Sequence, residues 1–155
     1  ALGQAEDRMS GESATTIYFA YGSNLCPEQM ARRCPGGQAL GQAVLQNWRF
    51  LINTRTYATI EAKPGAATHG VLWSLTPGHV AALDDYEAVA QGMYDKASLI
   101  VQQDGETVEA LVYIDPVRTP GQPRPDYLQT ILDGAAHFRL PSDYIAGLRR
   151  DWGGS

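Results

Sequence analysis

Residues 38–114 carry β-type segments almost back to back, where a doubly wound fold would alternate each strand with a helix. Stretches at 38–46, 48–53, 57–61 and 69–75 contain β-branched or aromatic residues and are separated by turns or small polar residues, which predicts four consecutive strands. A further pair, 97–102 and 107–114, flanks Asp104-Gly105, the strongest short-range hairpin signal because both residues accept positive φ. Helical patterns fill the gaps. Pro27 opens a short helix reaching about Arg33 and ending at Cys34-Pro35-Gly36-Gly37, and Thr76-Pro77 is an N-cap followed by proline in the first turn. Leu128, Ile131, Leu132 and Ala135 recur at helical spacing after Pro125, and Ser142-Asp143 can cap a last helix over 144–150. Four prolines and Gly121 between 115 and 125 forbid regular structure and predict a covering loop, placed so as to serve as a lid. Short strands punctuated by helices predict an α+β architecture, a small, strongly curved sheet or barrel with helices around it.

The 155 residues suit one domain, expected over 16–155, and bury about two thirds of the surface of the unfolded chain. Residues 1–15 are polar and aperiodic and are expected to be a disordered lead without function. A formal charge of -5 and scattered Lys and Arg argue against nucleic acid as a partner. No apolar run approaches the roughly 20 residues of a membrane span, so a soluble, cytoplasmic protein is expected. Cys26 and Cys34 are eight apart, which fits neither a redox pair nor zinc spacing, and His69, His79 and His137 form no ligand pattern. No metal and no cofactor are expected. Trp48, Trp73 and Trp152 are free to pack inside or to build an interface, so a homodimer stays open.

Chemistry concentrates in two places. Residues 18–25 read Y-F-A-Y-G-S-N-L: a strand breaks into Tyr21-Gly22-Ser23-Asn24 and meets Pro27. Such a turn aims backbone N–H groups outward at the positive end of a helix, a receptor for a carboxylate or an oxyanion. The same residues also suit an ordinary strand-turn-helix connection in which Gly22 only permits positive φ. The second place is Glu87. On a helix from Pro77, about 100° per residue sets Glu87 between Val80 and Leu83 on the apolar stripe, with Asp85 nearly opposite. A carboxylate there loses hydration and gains pKa, as a general acid/base near neutrality requires. If the helix ends at Tyr86, Glu87 is instead an exposed terminal residue.

Taken with G-V-L-W at 70–73 and L-D-D-Y-E-A-V-A-Q-G-M-Y at 83–94, the Y-F-A-Y-G-S-N-L segment resembles the γ-glutamylcyclotransferase family. The likeness continues through Tyr113, P-R-P-D-Y at 123–127 and D-G-A-A-H-F-R-L-P-S-D-Y at 133–144. It implies a mixed β-barrel with flanking helices and a γ-glutamyl pocket lined by Tyr18, Phe19, Ala20, Tyr21, Gly22, Ser23 and Asn24. It further implies a catalytic glutamate at Glu87 and substrate contact at Tyr127. Tyr94 and Tyr113 are pocket walls or core aromatics. The implied reaction is attack of the α-amine of a γ-glutamyl group on its own γ-carbonyl, which yields 5-oxoproline and a free amino acid or amine. Since the nucleophile belongs to the substrate, none is needed from the chain, and no nucleophile elbow is present. Arg55, Arg118 and Arg124 are candidates to meet a carboxylated leaving group. Ala88 departs from the glycine expected after the glutamate. The alternatives are a non-catalytic small-anion-binding module, or a cyclotransferase that removes a γ-glutamyl protecting group in metabolite maturation.

Overall fold

The computed structural model describes residues 15–153, so the expected lead lies outside the described residues up to position 14. Strands β1 (Thr16–Ala20), β2 (Gln38–Ile52), β3 (Ala58–Leu75), β4 (Asp95–Gln103) and β5 (Glu106–Ile114) close into a barrel in the order β1-β3-β2-β4-β5. The pairings are antiparallel except at the closing seam, where β5 meets β1 in parallel at Tyr18 and Leu111. Helices α1 (Pro27–Arg33), α2 (Pro77–Tyr86), α3 (Pro125–His137) and α4 (Ser142–Trp152) surround it, which is the α+β barrel expected.

The four segments predicted between 38 and 75 are two long strands. Asn47 takes φ 69° and the pairing jumps from Gln46↔Ala67 to Trp48↔Ala62, so it forms a bulge that bends β2 without ending it. The extra residues of β3, Lys63 to Ala66, bow out opposite, and Gly65 donates its N–H to Asn47 Oδ1 at 3.0 Å. Pro64 is tolerated there because bulged residues need no ladder donor. The Asp104-Gly105 hairpin forms as predicted, with φ 52° and 82° in the turn. The last helix is preceded by Pro141, and Ser142 and Asp143 lie inside its first turn with no side-chain cap.

Phe19, Ile52, Ile60, Leu72 and Ile131 are fully buried in one core, each contributing about 1.5–3 kcal/mol by leaving water. Trp48, Trp73 and Trp152 all pack on it. At α3, a Cβ on Gly134 would fall 2.5 Å from the Leu25 carbonyl, so glycine lets the helix seat directly on the turn after β1. The proline-rich 115–124 segment is a fixed brace and not a lid. Gly121 N–H donates to Ile52 O at 2.8 Å, Thr54 N–H to Thr119 O at 3.0 Å, and Asn53 Nδ2 to Val117 O at 2.9 Å.

Candidate active site

After β1 the chain turns through Tyr21-Gly22 into a short 3-10 turn, Ser23–Leu25, closed by Leu25 N–H on Gly22 O and Cys26 N–H on Ser23 O, each at 3.0 Å. The opening N–H groups of such a turn have no acceptor within it. Gly22 sits at φ -110° and ψ -135°, so positive φ is not what it provides. It provides room: a Cβ would lie 3.2 Å from Ala58 Cβ and 3.7 Å from the Tyr127 hydroxyl. Buried Asn24 fixes the turn. Its Nδ2 donates to the Tyr18 hydroxyl at 2.9 Å, while its Oδ1 accepts from Gln29 Nε2 at 2.9 Å and Arg33 Nη1 at 3.1 Å.

Glu87 follows α2. The helix does end at Tyr86, yet its terminal acid is not exposed, so each half of the two sequence readings holds. Ala88 enters the left-handed region at φ 51° and ψ 46°, and its carbonyl accepts from Gln91 N–H and Met93 N–H at 3.1 Å each. The Glu87 side chain beside this tight return is 16% exposed. Burial pushes the carboxyl up to about 7, opposed by the Arg33 guanidinium and assisted by Asp115. Arg33 Nη1 stands 3.9 Å from Glu87 Oε2, with its guanidinium 4.5 Å over the Tyr86 ring.

Glu87 and the Gly22-Ser23 turn line one cavity of about 480 Å³. Tyr18, Tyr21, Asn24, Tyr94, Tyr113 and Tyr127 line it too. Phe19 and Ala20 do not, and both are fully buried. Strand alternation sends Phe19 to the face opposite Tyr18, where its ring and the Ala20 carbonyl close on Gly70. Of the arginines proposed from sequence, only Arg124 reaches the cavity. Arg55 pairs with buried Asp115 at 3.7 Å, and Arg118 is exposed on the 115–124 segment. Sequence reasoning missed Gln29, Arg33, Tyr57 and Tyr86 in the lining. The spacing of four between Gln29 and Arg33, which puts both on one face of α1, was the available signal.

The hydroxyls differ in what they have left to give. Tyr21 donates to Tyr113 O at 2.6 Å, Tyr113 to Asp84 Oδ1 at 2.7 Å, and Tyr94 to Ala58 O at 3.0 Å. Their protons are committed. Tyr127 instead accepts the Ala58 N–H at 3.0 Å, as Tyr18 accepts from Asn24. Among the described residues neither hydroxyl hydrogen has an acceptor, so both can donate into the cavity. Burial raises all these phenols, Tyr127 to about 12, so they remain protonated donors near neutrality. Among the described residues no group of three or more His, Cys, Asp or Glu side chains could hold a metal ion, and no helix is long and apolar enough to cross a membrane.

Comparison with known proteins points the same way. The AIG2-like family matches residues 67–148. A γ-glutamylcyclotransferase of Bos taurus is 31% identical over 150 residues, covering 90% of this chain and 80% of the relative. One of Mus musculus is 30% identical over 160 residues, covering 96% and 85%. A solved γ-glutamyl cyclotransferase superposes with a TM-score of 0.83 at 29% identity, over 91% of this chain and 92% of that one. The chain belongs to the γ-glutamylcyclotransferase family of AIG2-like proteins.

Proposed function

We propose that this protein is a γ-glutamylcyclotransferase that acts on a small γ-glutamyl amino acid or γ-glutamyl amine, with Glu87 as its general acid/base. The observation that carries the reading is that Glu87, whose carboxyl burial raises to about 7, lines the same cavity as the Gly22-Ser23 turn. At that pKa Glu87 takes a proton from the substrate α-ammonium and returns it to the departing nitrogen. The freed amine attacks the γ-carbonyl; a C–N bond closes the lactam, and the original amide C–N bond breaks. Tyr127, with its hydroxyl proton uncommitted, donates to the oxygen as it becomes an oxyanion. That leaves the Ser23 and Asn24 N–H groups for the α-carboxylate, with Tyr18 beside them as a further donor. The cavity folds the glutamyl chain so that nitrogen and carbonyl carbon meet, where much of the rate gain is entropic.

A purely binding module of the same fold is disfavoured by Glu87 itself, because a buried like charge weakens the hold on a carboxylate. The test is release of 5-oxoproline from a panel of γ-glutamyl dipeptides and amines. Turnover supports the enzyme, and silence across the panel contradicts it.

A further inference from the structure

The cavity is lined by two cations, and their situations differ. Arg33 is engaged by Asn24, Tyr86 and Glu87. The Arg124 guanidinium stands 5.6 Å over the Tyr57 ring, and among the described residues it forms no ion pair. We propose that Arg124 and Tyr57 form a subsite that reads a carboxylate on the leaving group, making Arg124 a specificity-determining residue for γ-glutamyl amino acids over γ-glutamyl amines. The proposal rests on the cyclotransferase reading above.

Placement supports it. Tyr57 packs edge-on against Tyr127 with ring centroids 5.7 Å apart, so Arg124 and Tyr127 share one aromatic neighbour, and all three line the cavity. The carboxylate of an amino acid leaving group sits one carbon past the scissile nitrogen, close to the carbonyl assigned to Tyr127. The α-carboxylate of the glutamyl group belongs at the other end, next to the amine that Glu87 serves. One substrate thus carries two carboxylates, and the cavity has a separate donor set for each.

The backbone segments that carry the subsite are fixed before any ligand arrives. Asn53, fully buried, accepts the N–H groups of Arg55 at 3.0 Å and Tyr57 at 3.2 Å through Oδ1. Its Nδ2 donates to Val117 O, so the turn carrying Tyr57 and the segment leading to Arg124 are tied by one side chain. Arg124 itself lies between Pro123 and Pro125 in an extended conformation, φ -68° and ψ 143°. Arg124 is exposed, and its place over the Tyr57 ring narrows the positions its guanidinium takes before binding, which lowers the freedom lost on binding.

The test compares γ-glutamylalanine with γ-glutamylethylamine, which differ only in the leaving-group carboxylate. In wild type, Arg124→Gln and Arg124→Lys, kcat/KM is measured for both. Arg124→Gln is expected to lose about tenfold on γ-glutamylalanine, chiefly through KM, and less than about twofold on the ethylamine, as for one partly exposed charge-assisted contact. Arg124→Lys should fall between, keeping the charge but losing the stack. Equal losses on both substrates, or none on either, would overturn the subsite. Calorimetric titration of both compounds into Glu87→Gln, with and without Arg124→Gln, reads the same preference without turnover. A wild type that releases no 5-oxoproline but binds γ-glutamylalanine through Arg124 removes the cyclotransferase reading and keeps the subsite. Affinities that ignore the carboxylate overturn the subsite whatever the turnover.

Discussion

The Nη1 of Arg33 lies 3.9 Å from the Oε2 of Glu87, close enough to favour the carboxylate yet not to cancel its burial. The same Nη1 donates to Asn24, which orders the Gly22-Ser23 turn. One guanidinium therefore ties the proposed acid/base group to the proposed anion receptor.

Removing that charge should move the pH profile. In Arg33→Gln the influence that lowers the Glu87 pKa is lost, so the acid limb of kcat/KM against pH should shift upward from about 7 by on the order of one unit. Arg33→Lys should shift it less. A profile unmoved in Arg33→Gln would mean that the guanidinium is not felt at Glu87.

Stability should carry the same signature. The Glu87 pKa rises on folding from 4.5 to about 7, so the folded state binds the proton more tightly and stability falls as pH climbs through that window. Each unit of pKa is worth about 1.4 kcal/mol, so Glu87→Gln should stabilise by on the order of 3–4 kcal/mol at pH 8 and by almost nothing at pH 4. Urea unfolding at the two pH values measures this. A gain independent of pH would contradict it.

The tyrosines should separate by their hydrogen bonds. Tyr127→Phe removes the uncommitted hydroxyl proton, along with the acceptor of the Ala58 N–H, and should lower kcat by about 10²- to 10³-fold, as loss of an oxyanion donor does elsewhere, beside about 1 kcal/mol of stability. Tyr94→Phe breaks a bond to Ala58 O and should cost about 1 kcal/mol of stability with kcat within a few fold of wild type. Steady-state kinetics alongside thermal melts tests both. Equal kinetic losses would remove the distinction drawn between them.

Ala88 holds a left-handed conformation that disfavours side chains by about 1–2 kcal/mol, against about 0.5–1 kcal/mol of added chain entropy lost by glycine. Ala88→Gly should therefore raise stability by roughly 0.5–1 kcal/mol, read as a small rise in Tm. A lower Tm would show that the methyl group makes contacts worth more than the strain.

Much of the fold was legible because its signals are local. Asp104-Gly105, Thr76-Pro77 and Pro27 act through their own φ preferences and caps, and each marks a real boundary. The continuity of β2 past Asn47 and of β3 past Pro64 was hidden, since a bulge and a chain end share the same residue types. At the site, Gly22, Ser23 and Asn24 could be named from the pattern and Tyr127 from the family resemblance alone, whereas strand alternation excludes Phe19 from the cavity. The Glu87 side chain is largely buried in the cavity although α2 ends at Tyr86, past which helical periodicity has nothing to say. Arg33 went unseen because a helix-end arginine is normally solvated, and its partners Asn24, Tyr86 and Glu87 come to it only in the folded chain.

The most direct test is 5-oxoproline release from γ-glutamyl substrates by wild type and by Glu87→Gln, with 5-oxoproline binding measured in both. The account predicts turnover by wild type, loss of at least about 10²-fold in Glu87→Gln as expected for a removed acid/base group, and product binding retained in the variant. Wild-type rates persisting in Glu87→Gln would contradict it.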